Sequence, residues 1–167
     1  MSEAATSNTT ELPPPFESLG QPEMRLELLS QPRYLCGGRS MVESVALRLG
    51  FDELNAGQIA LAVDEALAIV IRHGYDKATD RRIWMSLWPA EPTTGKEGIH
   101  IAIEDEAKQV DPAGIKSRDV SEVRPGGLGV YLIEQIMDAA RYEQRDPIGM
   151  RLMMTKFAKK NPSNDKH

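Results

Sequence analysis

The sequence predicts an α+β fold, a two-layer sandwich in which a mixed, mostly antiparallel sheet carries its helices on one face. Two observations predict it. Segments that alternate apolar and polar residues, as strands do, occur next to one another along the chain, and two long helix-periodic segments separate the first strand from the rest. Neighbouring strands favour antiparallel pairing, and this order differs from the regular strand–helix alternation of a doubly wound fold.

The first half of the chain supplies one strand and two helices. Residues 24–30 (MRLELLS) alternate apolar and charged side chains, which predicts a strand. Apolar residues at helical spacing between residues 35 and 49 predict the first helix. Asp52 or Asn55 can cap a second helix, which we expect to end at Gly74.

The second half supplies four strands and one helix. Residues 83–88 and 99–105 have the alternation of sheet strands and are joined by a turn that contains proline and glycine. A long loop without a clear pattern covers residues 106–125 and is long enough to act as a lid. A helix that opens with glycines follows over residues 126–140, and residues 142–157 are predicted to form a terminal hairpin.

The chain length and composition predict one folded domain with polar ends. The 167 residues favour a single domain, which we expect over residues 23–158. Residues 1–22 are rich in Ser, Thr, Pro and Glu, and residues 159–167 are similarly polar, so a disordered leader and a disordered tail are expected. The leader lacks the positive start and apolar centre of a signal peptide.

Charge and cysteine usage exclude several classes of partner. A net charge of −5 argues against a nucleic-acid-binding surface. The single cysteine, Cys36, cannot form an intramolecular disulfide and fits a reducing cytoplasm. The histidines and this cysteine are scattered, which predicts no metal site built from them, and no run approaches the ~20 apolar residues of a membrane span. We therefore expect a cytoplasmic protein without a nucleic-acid or membrane partner.

A glycine segment opens the third predicted helix. Gly126, Gly127 and Gly129 stand where free backbone N–H groups and the positive end of a helix can hold a phosphate. The alternative is a plain loop with a flexible helix entry. A Walker loop is excluded because Glu97 follows the Gly-Lys pair, and a Rossmann fingerprint is excluded because Leu132 stands at its third glycine.

Two further positions could carry chemistry. Asp105 ends a predicted sheet strand, where its carboxylate could accept hydrogen bonds from the amino group of adenine; the alternative is a solvated strand end. Glu65, Ile69 and His73 are spaced four residues apart and share one stripe of the second helix. Glu65 could instead face solvent, Ile69 could fill the core, and His73 could simply end the helix, where a cation is favoured.

Three segments occur together in an order that resembles the bacterial anti-sigma factor serine/threonine kinases, members of the Bergerat-fold, histidine kinase-like ATPases. They are residues 63–75, which contain DEA and RHGY, residues 104–112, and residues 126–133, GGLGVYLI. The resemblance covers about residues 24–157. It implies an ATP site between the long helix, the strand-end aspartate and a mobile lid. It also implies regulation of transcription or stress signalling by partner switching.

The resemblance assigns roles to particular residues and partners. It implies that Glu65 is the general base for the accepting hydroxyl, that Asp105 reads adenine, and that the glycines at 126, 127 and 129 close over the phosphates. His73 lies inside the first motif and is predicted to be a cofactor-binding residue. Such a protein sequesters a sigma factor and phosphorylates an anti-sigma factor antagonist, uses ATP and Mg²⁺, and often forms a homodimer.

The sequence departs from the family pattern at three positions. Ile69 stands where the family places an asparagine that helps hold magnesium, and an isoleucine offers no oxygen ligand. Ala107 and Gln109 stand where the first glycine segment of the family has glycines. Two functions therefore stay open: an ATP-dependent protein kinase, or an interaction module of the same fold without ATP turnover. A third hypothesis is that the chain is an unrelated α+β domain whose third helix begins with glycines.

Overall fold

The predicted order of elements is confirmed. The computed structural model describes residues 12–90, 97–116 and 127–159. In chain order they form β1 (Met24–Leu29), α1 (Leu35–Arg48), α2 (Glu53–Ile69), β2 (Arg82–Ala90), β3 (Gly98–Glu104), α3 (Leu128–Ile136), β4 (Ala139–Gln144) and β5 (Met150–Phe157). The α+β class is therefore as predicted.

The sheet is open and has the strand order β1-β2-β3-β5-β4. The strand pairs of the described residues are all antiparallel, so the sheet is more regular than the mixed one expected. β3 lies at the centre and pairs with β5 on its far side, from Gly98 opposite Phe157 to Glu104 opposite Arg151. The end of β3 therefore lies beside the start of β5, and this junction positions the site described below.

One face of the sheet packs against the three helices. α2 is the central helix, and its Asp52 cap accepts a hydrogen bond from the backbone N–H of Asn55 at 2.7 Å, which decides between the two predicted caps. Apolar side chains on alternate residues of β2, β3 and β5 meet α2, and burying each one fully contributes about 1.5–3 kcal/mol. They are Ile83, Met85, Leu87, Ile99, Ile101, Ile103, Leu152 and Met154.

The central helix continues past Ile69 as a wider, π-helical turn. This turn covers Val70–Gly74, and the N–H of Tyr75 bonds to the carbonyl of Val70 at 2.8 Å. In the part of the chain that the structure describes, Glu53–Gly74 is the one helical segment long and apolar enough to cross a membrane by length and composition. Its buried residues form the middle of the core, which accounts for that composition.

The last helix is shorter than predicted. α3 ends at Ile136, four residues before the expected end, because Met137 is extended and β4 already begins at Ala139. Ala139 and Ala140 favour helices in isolation, but here they pair with Thr155 and Met154 of β5. Tertiary pairing thus overrides the local preference.

The leader segment 12–20, called the strap below, lies on the outer face of the sheet. The ring of Phe16 meets Trp88 edge to face, 5.7 Å between centroids, and the Arg151 guanidinium lies 3.6 Å from the Phe16 ring centroid. Arg141 donates to the carbonyls of Pro13 at 2.7 Å and of Pro14 at 3.1 Å. Strap and sheet bury a shared apolar patch, which the composition of the leader does not predict. Residues 1–11 and 160–167 lie outside the described residues.

Candidate functional site

A cavity of about 370 Å³ lies between α2, α3, the junction of β3 with β5 and the loop that follows β3. Small-molecule sites in proteins have this size and a mostly apolar lining. The apolar lining includes Ala66, Ile69, Val70, Ile103, Val130 and Leu152. The charged or titratable residues of the lining are His73, Asp105, Lys108, Lys116 and Tyr142.

Asp105 is the buried acid of this cavity. Only 4% of the residue is exposed. Its Oδ1 accepts hydrogen bonds from the N–H groups of Ala107 at 2.8 Å and Met150 at 3.1 Å. Burial raises the pKa of the carboxyl, although both N–H groups and the charge of Arg145 act in the opposite direction. Oδ2 has no hydrogen-bond partner among the described residues, so one carboxylate oxygen remains to accept a donor such as a purine amine.

The turn between β4 and β5 fixes the backbone of Asp105. Arg145 donates from Nη1 to the Asp105 carbonyl oxygen, and Gly149 packs directly on the same peptide. Gly149 has φ +96°, and a Cβ there would lie 1.9 Å from the Asp105 carbonyl oxygen. Sequence reasoning missed both residues, although the Asp-Pro-Ile-Gly turn was a signal for a glycine with special geometry.

The N-terminus of α3 lies at the same cavity. Gly127 lines it, has φ +86° and stands at the N-cap without a side-chain cap. Among the described residues, no side chain accepts from the first N–H groups of α3, and the positive end of the helix dipole favours an anion there. Gly126, which was predicted to belong to the same phosphate-binding segment, lies outside the described residues.

Gly129 and Glu65 meet each other at the side of the cavity. A Cβ on Gly129 would lie 2.9 Å from Glu65 Oε2 and 3.1 Å from Ile69 Cδ1, so the missing side chain lets α3 approach α2 closely. Glu65 Oε2 also lies 3.8 Å from Arg72 Nη2, in a weak ion pair. The described lining of the cavity includes neither Glu65 nor Gly129. Of the predicted residues, His73, Asp105 and Gly127 line it together.

The wall of this cavity lacks the oxygen ligand that the resemblance assigns to magnesium. Ile69 is half-buried in the cavity wall where an oxygen ligand is required. Within the ranges that the structure describes, no group of three or more His, Cys, Asp or Glu side chains could hold a metal ion. Glu65, one helical turn before Ile69, lies in a weak ion pair with Arg72.

The other two departures leave the cavity open. Ala107 is buried, and its methyl group packs beside Gly74, where an added Cβ would lie 3.2 Å away. The amide of Gln109 donates to the carbonyl of Arg145, and the described lining does not include Gln109. Both substitutions are therefore accommodated by the surrounding turn.

Tyr142 is a residue of the cavity that sequence reasoning missed. Its hydroxyl is buried and has no partner among the described residues. Burial raises the pKa of Tyr142 to about 12, and Glu134 adds to the effect, so the hydroxyl stays protonated at neutral pH. A buried hydroxyl without a partner is uncommon in native proteins. Nothing in the local sequence of β4 distinguishes this tyrosine from a packing residue.

The fold and this cavity are those of a histidine kinase-like ATPase domain. Residues 28–156 match the family described as Histidine kinase-like ATPase domain, and the chain belongs to that family. Within it, the chain is similar to proteins named Serine-protein kinase RsbW. It is 26% identical over 139 residues to the protein of Listeria monocytogenes, which covers 81% of this chain and 87% of the relative. It is 27% identical over 138 residues to that of Bacillus subtilis, covering 80% and 84%.

A solved structure has the same fold. The crystal structure of the RsbU and RsbW domains of Rv1364c from Mycobacterium tuberculosis superimposes with a TM-score of 0.55 at 16% identity, covering 83% of this chain and 34% of the other. At this identity the likeness concerns the fold alone. The family match and these relatives confirm the resemblance to anti-sigma kinases of the histidine kinase-like ATPase fold.

Proposed function

We propose that this protein is a cytoplasmic anti-sigma regulatory factor of the partner-switching type that binds ATP in the cavity and does not turn it over. The observation that carries the proposal is the free carboxylate oxygen of Asp105 in an apolar cavity that ends at the uncapped N-terminus of α3. Adenine would lie on the apolar lining with its amino group on Asp105. The phosphates would lie toward Gly127, where the helix favours negative charge.

The partners follow from the family. The protein would sequester a sigma factor and release it when an anti-sigma factor antagonist binds, which makes it a regulator of transcription in a stress response. Similarity to serine-protein kinases over about four fifths of the chain supports this assignment. The homodimer implied by the resemblance stays a prediction, and the molar mass of the purified protein in solution checks it.

A second candidate function is phosphorylation of the antagonist on a serine or threonine. It is favoured by Glu65, the predicted general base, which is retained on α2 beside the glycine-opened helix. The absence of a magnesium ligand at Ile69 argues against it, because phosphoryl transfer depends on a metal that neutralises developing charge. Glu65 also lies in a weak ion pair with the exposed Arg72, which partly neutralises the charge of a general base.

ATP binding is tested by the thermal stability of the full chain. A ligand at one hundred times its Kd adds about 2.7 kcal/mol to the free energy of unfolding. We expect ATP to raise the Tm of the natural protein and to have little effect on Asp105→Asn. Asp80→Asn is the matched control, because Asp80 is exposed and pairs only with its neighbour Arg81 among the described residues. An equal shift in all three proteins would show that Asp105 does not read the base.

Transfer of labelled phosphate from ATP to a purified antagonist distinguishes the two candidate functions. We expect no transfer with the natural protein, together with retained binding of the antagonist. Transfer that Glu65→Gln abolishes while antagonist binding persists would establish the second candidate. Transfer that Glu65→Gln leaves unchanged would exclude Glu65 as the base.

A further inference from the structure

The charges around the cavity are arranged for an anion without a metal. Asp105 is the one acidic residue in the described lining, and it lies next to the β3 end, where the base would be read. Lys108 and Lys116 are both exposed residues of the lining, and His73 joins them from the end of the central helix. At the wall where the family holds its metal, the side chain is the apolar one of Ile69.

We propose that the cavity takes its nucleotide as the metal-free anion, with the ammonium groups of Lys108 and Lys116 neutralising the phosphates in place of a divalent cation. The inference rests on the ATP binding proposed above and specifies the ionic form of the ligand. Two ammonium groups carry the same total charge as one Mg²⁺. Each acts on phosphate as a point charge with three hydrogen-bond donors and needs no octahedral set of oxygen ligands.

The loop that carries the two lysines is anchored to the body of the protein. At its first end, Gln109 donates to the Arg145 carbonyl, and Gln144 on β4 donates to the Val110 carbonyl at 3.0 Å. At its middle, Asp111 accepts from the N–H of Ala113 at 3.0 Å and caps the short turn Pro112–Gly114. Lys108 directly precedes the anchored residues, Lys116 follows the short turn, and both lysines line the cavity.

The same arrangement accounts for the isoleucine at position 69. Without a metal to hold, this position is free to pack, and Ile69 fills the space left by Gly129 on the facing helix. The carboxylate of Glu65 beside it is compensated by Arg72 rather than by a bound cation. A metal-holding side chain at position 69 and the lysine pair Lys108 and Lys116 would be alternative ways to neutralise the phosphates. This chain has the lysine pair.

The test is calorimetric titration of the full chain with ATP, once in excess EDTA and once in millimolar MgCl₂. We expect binding in EDTA at least as tight as binding in magnesium. The double variant Lys108→Ala, Lys116→Ala is expected to weaken binding in EDTA by roughly tenfold or more, since each lost ammonium–phosphate contact removes a charge-assisted hydrogen bond. Both lysines are exposed, so the variant is expected to fold, and its Tm without ligand checks this.

Lys159→Ala is the matched control. Lys159 is an exposed lysine after β5, near Asp52 at the start of α2 and outside the described cavity lining. Its replacement removes one positive charge, as each lysine replacement in the double variant does, but leaves the site unchanged. Binding by Lys159→Ala should equal that of the natural protein. Added salt should weaken binding in EDTA more for the natural protein than for the double variant, because screening acts on the lysine contribution.

Each result that differs from these expectations refutes a different part of the proposal. ATP binding that requires magnesium would refute the metal-free form and leave the proposed function standing. Tight binding in EDTA that the double variant retains would refute the lysine assignment. Failure to bind under both conditions would refute the proposed ATP binding itself. Ile69→Asn provides a gain-of-function check, since it should make binding several-fold tighter in magnesium than in EDTA; equal affinities would contradict the role given to Ile69.

Discussion

Two adjacent acids at the end of β3 face opposite sides of the sheet and have opposite surroundings. Glu104 lies on the outer face and is surrounded by cations, with Arg151 at 3.0 Å, Arg145 at 3.1 Å and Arg25 at 3.8 Å. Asp105 lies on the helix side and has one carboxylate oxygen without a partner in the described residues. Neither acid is more than 4% exposed. A compensated buried acid holds structure together, whereas an uncompensated one is available to a ligand.

The contrast extends over both faces. On the outer face, the strap and Glu143 both contact Arg151, which lies over the Phe16 ring and bonds to Glu143 at 2.7 Å. On the helix side, packing is interrupted by a cavity of about 370 Å³. Strand geometry alone places neighbouring residues on opposite faces. At the end of β3 the two faces therefore differ: the buried acid is compensated by arginines on the outer face and has an oxygen open to the cavity on the helix side.

The largest expected effect is that of Gly149→Ala at the cavity side. The new Cβ would meet the carbonyl of Asp105 at 1.9 Å, and the residue has φ +96°. We expect a loss of about 3 kcal/mol or more in the free energy of unfolding. Chemical denaturation measures it. Gly37→Ala is the control, because a Cβ on Gly37 in α1 meets nothing within 4 Å; it should leave stability unchanged or raise it by up to about 1 kcal/mol.

The second prediction compares the two acids directly. Glu104→Gln removes the charge that compensates Arg145 and Arg151, so the free energy of unfolding should fall by about 2–3 kcal/mol. Asp105→Asn keeps an acceptor for both backbone N–H groups and removes a charge whose burial is unfavourable, as the raised pKa indicates. Its stability without ligand should be unchanged or higher. Equal losses in the two variants, measured by denaturation, would contradict this difference between the faces.

The sequence predicts the fold better than it predicts these contacts. Apolar periodicity is a local signal, and it located the five strands and three α-helices of the described residues, although it assigned the first residues of β4 to a helix. Of the residues that the resemblance assigns to one site, Asp105, Gly127 and His73 line the cavity, whereas Glu65 and Gly129 are not part of its described lining. The contact of Gly149 with Asp105 joins residues that are far apart in the chain, and only the folded β3–β5 junction brings them together.

The strap was missed for a related reason. It is rich in proline and belongs to a leader that is also rich in Ser, Thr and Glu, and this composition indicates disorder when considered alone. Its receptor is an apolar patch assembled from β2, β3 and β5, namely Trp88, Ala102 and Met153. Each strand contributes one residue, so no local segment carries the signal. The free energy that orders the strap comes from packing on this patch, whose residues are distant in sequence. The composition of the strap alone therefore cannot predict it.

The third prediction tests whether the strap contributes to stability. Phe16→Ala removes an edge-to-face ring contact with Trp88 and a cation–π contact with Arg151. The loss should be about 1–2 kcal/mol. Leu12→Ala is the control in the same segment, because Leu12 is 72% exposed and should have almost no effect. If both variants unfold at the same denaturant concentration as the natural protein, the strap does not stabilise the outer face.

The smallest expected effect is a pH dependence that arises on the outer face. His100 is buried there beside Thr155, with 2.8 Å between Nδ1 and Oγ1, and burial lowers its pKa from 6.5. The unfolded chain therefore binds a proton more readily than the folded one, so stability falls as the pH decreases below about 6.5, by at most about 1.4 kcal/mol per pH unit.

Asp105, with a raised pKa, contributes the opposite slope in the acid range above 3.8. Unfolding measured across pH 5–7 should show a steeper decline for Asp105→Asn than for the double variant that also carries His100→Gln. Parallel curves would show that His100 is not the group that couples protonation to unfolding.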